Sequence, residues 1–189
     1  MSSRPPTRKR TQTLARLMAG AAEVVSEKGF QLASVDEIAA RAGLTKGAVY
    51  SNFDSKEALF LALISSKALR LNPKFPDGGS FKACLRALGE ACAALLPEAR
   101  AQSAFVAEFL LYALRHEDMR RRLAQLYAAD FAAHTARLVA MFPDAKLRVS
   151  AEAFPVVVQA LSLGLVYQHF LTPDAVTAEV AIAAFEALA

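Results

Sequence analysis

The run Leu44 to Phe53, LTKGAVYSNF, gathers the groups in this chain best suited to contact an anion. Thr45, Tyr50 and Ser51 offer hydroxyls, Asn52 an amide and Lys46 an ammonium, and no carboxylate interrupts them. An ordinary solvated helix face mixes Glu with Lys. This set instead donates hydrogen bonds and positive charge without repelling phosphate, which is the chemistry of contacts to nucleic-acid backbones and base edges. Elsewhere reactive groups are sparse. His116, His134 and His169 have no Cys or acid at metal-ligand spacing, so each reads as a half-buried structural residue and no metal site is expected. No phosphate loop, GxGxxG or GxSxG occurs and no carboxylate pair stands out, so no catalytic residue is nominated and no cofactor is expected. Cys84 and Cys92 lie eight residues apart on one predicted helix, roughly 12 Å along its axis, too far to pair. They read as reduced core thiols of a cytoplasmic protein, with a redox sensor as the alternative.

Two short helices and a tight turn would position the Leu44–Phe53 groups. Ser34 with Glu37 forms a capping box, so a helix starts at Val35 and sets Val35, Ile38, Ala39 and Ala42 on one face. Gly43 ends it and reverses the chain, Leu44 plugs the turn, and Thr45 caps a second helix from Lys46 to Asn52. Val49 and Phe53 point inward on that helix. Lys46, Gly47, Ala48, Tyr50, Ser51 and Asn52 lie on or near its outer face. Two such helices form the pattern of a DNA-binding helix-turn-helix, the second entering the major groove. A preceding helix, capped by Thr7 or Thr11 and closed by Gly29, completes a three-helix core, with Phe30 tucked back after the cap. Asp54 or Ser55 caps a fourth helix that runs toward Leu71, with Lys56 in its first turn, beside backbone N–H groups where a phosphate would fit.

The segment TKGAVYSNFDSKEALF, with SVDEIAARAGL before it, resembles the DNA-binding domain of the tetracycline-repressor (TetR) family of bacterial regulators. The family's Tyr-x-x-Phe and Ser-Lys-Glu helix start correspond to Tyr50, Phe53, Ser55, Lys56 and Glu57. The resemblance is specific from about Arg10 to Phe60; beyond it, only helix number, length and order agree. It implies that Thr45, Tyr50, Asn52 and Lys56 hold phosphates and that Lys46, Gly47, Ala48 and Ser51 face base edges. Ser34 and the cations Arg8, Lys9 and Arg10 complete the expected DNA-binding set. It implies further a homodimer on double-stranded operator DNA and a small-molecule effector. The function implied is a ligand-responsive regulator, a repressor released from its operator by a small apolar molecule. An activator is the alternative within that class. An apolar-ligand carrier or a partner-binding protein with a vestigial helix-turn-helix is the alternative outside it.

Whole-chain properties fit that frame. Of 189 residues, 54% are hydrophobic, a surplus that a dimer interface, an internal pocket or both would have to bury. Arg4, Arg8, Lys9 and Arg10 put four cations and no acid in the first ten residues, while the remaining 18 basic and 18 acidic residues cancel. A basic N-terminal arm, disordered over residues 1 to about 6, suits phosphates or the minor groove. No secretory signal is read. The greasy run Ala153 to Leu171 is broken by Pro155, Gln159, Gln168 and His169, which predicts a buried soluble helix and no membrane partner.

The fold class expected is all-α with about nine helices. Residues 1–60 would form the helix-turn-helix domain with its basic arm, and residues 61–189 a helical ligand-binding and dimerisation domain. In the latter, helices are expected over Phe81–Leu96, about Glu98–His116, about Asp118–Met141 and about Ser150–Leu171. A final helix starts at Thr172–Pro173, with Val176, Val180, Ala183 and Leu188 as its apolar side. Phe105, Phe109 and Tyr112 on one helix and Tyr127, Phe131 and His134 on the next read either as plain core or as walls of a ligand pocket with polar tips. The small residues Ala153, Val157, Ala160 and Gly164 mark where a partner's helix would approach most closely.

Overall fold

A computed structural model describes residues 8–67, 71, 73–76, 78–97 and 100–189. The expected disordered tail (residues 1–6), the helix start at Glu98 and the extension of the fourth helix over residues 68–70 lie outside them. Among the described residues there are nine helices and no strand: α1 (Arg8–Leu32), α2 (Val35–Arg41), α3 (Lys46–Tyr50), α4 (Lys56–Lys67), α5 (Phe81–Leu95), α6 (Arg100–Arg115), α7 (Glu117–Met141), α8 (Ala153–Leu171) and α9 (Ala178–Glu186).

Contacts divide the chain into two units, Met1–Ala68 with Ala104–Arg120, and Leu69–Ser103 with Arg121–Ala189. The first unit therefore takes in more than the expected residues 1–60. The reason is aromatic: the Phe30 ring meets Phe60 at 5.0 Å, Phe109 at 5.3 Å and Tyr112 at 4.9 Å, and Phe105 lies 5.9 Å from Phe60. Leu17, Ile38, Val49, Leu59, Leu63 and Ile64 are also fully buried in this unit. Helical dihedrals of α1 stop at Gly29 (φ 78°, ψ 173°), a conformation that favours glycine. One more turn follows, tied by Ala33 N–H to the Gly29 carbonyl at 3.3 Å, and it seats Phe30 inward.

The second unit is built on α5 and α9. A Cβ at Gly89 would stand 2.7 Å from the Ile182 Cα, so only glycine lets these two backbones touch. Around that contact, Cys92, Leu96, Val166, Ala181 and Phe185 form the core, with Leu88, Val158, Leu161 and Leu165 against it. Both cysteines are free and buried. Burial pushes the Cys92 thiol up to about 11. Arg86 joins Glu90 and Glu186, each at 3.0 Å.

Two expectations for the last helices change. The final helix starts after Thr177, whose hydroxyl accepts from Val180 N, and not at Thr172–Pro173, which belongs to a separate turn. Its inward residues are Ala181 and Phe185, while Val180 and Ala183 are exposed. Apart from Glu179 and Glu186 the helix is apolar, so periodicity did not choose among its apolar residues. α8, read as apolar on more faces than one protomer can cover, buries one face and exposes another. Phe154, Pro155, Ser162 and Val166 are buried, whereas Val156, Ala160, Gly164, Gln168 and Leu171 form an exposed stripe.

Candidate nucleic-acid interface

The helix-turn-helix is held by its caps. Glu37 N–H donates to Ser34 Oγ at 3.2 Å, and Ser34 N–H returns a bond to Glu37 Oε2 at 3.3 Å. Lys28 pairs with Glu37, and those bonds hold its carboxyl below the usual carboxylate range. At the other end of α2, Gly43 (φ 62°) lets Gly43 N–H reach the Ala40 carbonyl at 2.9 Å and Leu44 N–H reach that of Ala39 at 2.8 Å. These two bonds make a Schellman turn. Arg41 then forks onto Glu27 at 2.8 Å and reaches Glu23 at 3.2 Å, binding α2 to α1. A solvent-open groove of about 410 Å³ beside this seam is lined by Val24, Glu27, Lys28, Glu37, Ala40 and Arg41. Its charges pair among themselves, Lys28 with Glu37 and Arg41 with Glu27.

Thr45 caps α3 by accepting from Ala48 N–H at 3.2 Å. The helix closes at Tyr50 and not at Asn52, because Ser51 Oγ and Asn52 Nδ2 both turn back to the Ala48 carbonyl, at 3.0 and 2.8 Å. Val49 is buried, Leu44 and Phe53 are half-buried, and Tyr50, Lys46, Gly47 and Ser51 are exposed. Ala48 and Asn52 are half-buried. Lys46, the cation of this face, is met from α2 by Asp36 at 2.9 Å. That carboxylate raises the Lys46 pKa and offsets its charge. Sequence reading missed it, since no local pattern pairs residues ten apart across a turn.

Lys56 occupies the first turn of α4, with Ser55 as the capping hydroxyl toward Ala58 N–H at 3.2 Å. Its Nζ donates to the Gln31 carbonyl at 3.2 Å and sits 5.1 Å from the Phe30 ring and 5.6 Å from the Phe60 ring. Burial lowers its pKa. A phosphate at this end of α4 would share Lys56 with that carbonyl. Arg8, Lys9 and Arg10 are exposed on the first turn of α1, so these three cations stand on a helix and not on a mobile arm. Ser34 spends its hydroxyl in the capping box.

The other expected residues fall in different places. Phe105, Phe109 and Tyr112 join the aromatic core of the first unit, with Tyr112 Oη 3.5 Å from Glu57. Tyr127 and Phe131 are half-buried in the second unit, their rings 6.0 Å apart. His134 is exposed, its Nδ1 bonded to the Asp130 carbonyl at 2.7 Å, so it is not the polar tip inside an apolar pocket that its spacing suggested. Two α8 residues that the sequence did not nominate for a pocket stand close to Tyr127. Gln159 hydrogen-bonds it, and the Tyr167 hydroxyl is buried without a partner among the described residues, its pKa pushed up to about 12 by burial and by Tyr127. Of the small residues on α8, Ala160 and Gly164 are exposed and Ala153 and Val157 half-buried. Among the described residues, nothing beyond the helix's own adjacent backbone lies within 4 Å of a Cβ placed on Gly164. No group of three metal-binding side chains occurs among the described residues.

Residues 17–63 match the family model for bacterial regulatory proteins of the tetR family. The chain is similar to the transcriptional activator FasR of Mycolicibacterium smegmatis, 40% identical over 55 residues, which are 29% of this chain and 25% of that protein. It is similar also to the transcriptional regulator UidR of Escherichia coli K12, 31% identical over 104 residues, 55% of this chain and 53% of UidR. The chain thus spans between a quarter and about half the length of these relatives. Its fold is that of the transcriptional regulator FadR of Bacillus subtilis, solved in complex with stearoyl-CoA, with a TM-score of 0.68 over 92% of this chain and 96% of that one at 16% identity.

Proposed function

The chain belongs to the tetR family of bacterial regulatory proteins, and on that premise we propose that it is a cytoplasmic repressor that leaves double-stranded operator DNA when a small apolar effector binds. One observation carries the DNA half of this reading. The exposed residues of α3 and its flanks, Thr45, Lys46, Gly47, Tyr50 and Ser51, offer donors and a cation on a capped helix, and the Asp36 carboxylate reaches them only through an exposed ion pair. Gly47 and Ala48 have almost no reach, so base contacts are few and DNA shape contributes to the choice of sequence. Lys46 and Ser51 carry the direct readout, and Thr45, Tyr50, Asn52 and Lys56 the phosphate contacts.

The effector half rests on the second unit. Tyr127 and Phe131 on α7, with Gln159 and the unpartnered Tyr167 hydroxyl on α8, place hydrogen-bonding tips among apolar residues. An apolar molecule with one acceptor group would satisfy Tyr167. FadR, whose fold this chain shares, was solved with stearoyl-CoA, and the acyl chain of that molecule fits an apolar lining. A second copy of the chain would cover the exposed stripe on α8 and Val180 on α9. Two heads would then match successive major grooves about 34 Å apart, and effector binding would spoil that match.

Selection of duplexes from a random-sequence pool, followed by shift assays at fixed salt, tests the reading. A repressor enriches one (pseudo)palindromic sequence, whereas a carrier with a vestigial helix-turn-helix enriches none. The resemblance to an activator, FasR, makes activation the second reading. Transcription from a promoter bearing the selected sequence separates the two by sign.

A further inference from the structure

The guanidinium of Arg16, on α1, lies across the turn between α2 and α3. Its Nε donates to the Ala42 carbonyl at 3.0 Å and its Nη2 to the Gly43 carbonyl at 2.9 Å. The turn's amides are committed elsewhere, Gly43 N–H to Ala40 and Leu44 N–H to Ala39. The turn's own backbone hydrogen bonds do not use the carbonyls of Ala42 and Gly43, and the Ala42 carbonyl, at the C-cap, stands at the negative end of the α2 dipole. A planar fork satisfies both together, which a lysine cannot do. The fit is close: a Cβ on Gly43 would stand 2.8 Å from Nη2. Only Leu44 and Thr45 separate this clamp from Lys46, the first residue of α3.

We propose that Arg16 is a positioning residue for operator recognition, fixing the turn so that α3 leaves it at the angle the major groove requires. The same two bonds cover carbonyl oxygens that would otherwise face phosphate. The proposal rests on the operator-binding reading above. It adds a residue that touches neither base nor phosphate and acts through the backbone of the turn.

The test uses the full chain and the duplex that the parent selects from a random pool. Arg16→Lys keeps the charge and loses the fork; Arg16→Ala loses both. Both variants bind the selected duplex about tenfold more weakly, the scale of a lost charge-assisted hydrogen bond, while a scrambled duplex of the same length is bound as by the parent. The slope of log K against log salt stays unchanged, because the phosphates contacted stay the same. Amide resonances of Lys46–Tyr50 shift in the free Arg16→Lys protein. A direct phosphate contact gives another pattern, with Arg16→Lys near the parent and Arg16→Ala losing about 0.9 of slope, and it overturns the proposal. So does parental binding by folded variants whose only change is a lower melting temperature. Circular dichroism establishes folding, and Arg16→Lys alone decides the matter where Arg16→Ala does not fold. A parent that selects no duplex ends the operator-binding reading and this proposal together; a parent that selects one while Arg16→Lys matches it ends this proposal alone.

Discussion

At the scale of single residues, Lys46 and Lys56, the two cations proposed to meet DNA, each have a partner inside the protein, and that sets what DNA would displace. Lys46 faces Asp36 across an exposed pair, which contributes little to stability. Asp36 raises the Lys46 pKa, so the ammonium stays charged at neutral pH with or without its partner. Asp36→Asn therefore changes the field and not the protonation state. Affinity for any duplex should rise severalfold and the salt slope steepen by up to about 0.9, with the melting temperature little changed. Equal titrations of parent and variant across a salt series would show that Lys46 does not face the DNA. Lys56 differs because its stem packs on Phe30 and Phe60 and its Nζ bonds Gln31. Lys56→Met keeps the packing and removes the charge. It should stay close to the parent in stability and lose about 0.9 of salt slope; a full parental slope would make Lys56 an internal clamp only. Tyr167 offers a test of opposite sign. Tyr167→Phe removes a buried hydroxyl that has no partner among the described residues, so the free protein should gain up to about 1 kcal/mol or stay unchanged. The same variant should lose small molecules that co-purify with the parent, as read by mass spectrometry of extracts. A large loss of stability would mean that the hydroxyl is bonded within the fold.

At the scale of elements, the break in α1 shows how a carboxylate distant in sequence completes a local signal. Gly29 holds φ 78°, and the Phe30 N–H freed by the break donates to Glu108 Oε2 at 2.6 Å. A Cβ on Gly29 would stand 2.6 Å from that oxygen. Gly29→Ala thus meets an unfavourable dihedral and displaces the group that satisfies the neighbouring amide. Urea unfolding should show a loss of about 2–3 kcal/mol, the sum of a strained positive φ and an unpaired buried donor. A loss below about 0.5 kcal/mol would mean that the segment relaxes freely. The break itself was legible in the sequence, as were the caps Ser34 and Thr45, because each is a local pairing of side chain and backbone within a few residues. Glu108 was not legible. It acts across 78 residues, and nothing around it in α6 distinguishes it from a solvated acid. For the same reason Phe105, Phe109 and Tyr112 read equally as plain core or as pocket walls: spacing shows that they share a face, but not that Phe30 and Phe60 meet them there.

At the scale of the whole molecule, the apolar surplus in the composition has a definite address. α5 and α9 consume their shared face in the core around Cys92 and Phe185. α8 spends Phe154, Ser162 and Val166 inward and leaves Val156 45% and Leu171 77% exposed. A helix that is apolar nearly all round needs cover on more than one side, and this chain supplies cover on one. The sequence showed that α8 is apolar throughout and that its small residues share a strip. It did not show which residues of α9 turn inward, because all but Glu179 and Glu186 of that helix are apolar. Gly164 decides whether a second copy supplies the cover. Its Cβ position is open to 4 Å within the protomer, so Gly164→Glu should fold with a parental circular dichroism spectrum. In a dimer built on this stripe the new carboxylate would be buried unpaired. That costs association on the order of 3 kcal/mol, about a hundredfold in the dimer dissociation constant. Sedimentation velocity near the parent's dissociation constant should then show monomer. Operator affinity should fall with it, since a single head spans one half-site. A folded Gly164→Glu protein that sediments as the parent's dimer would place the contact on another face, and operator binding by that protein would then be unaffected.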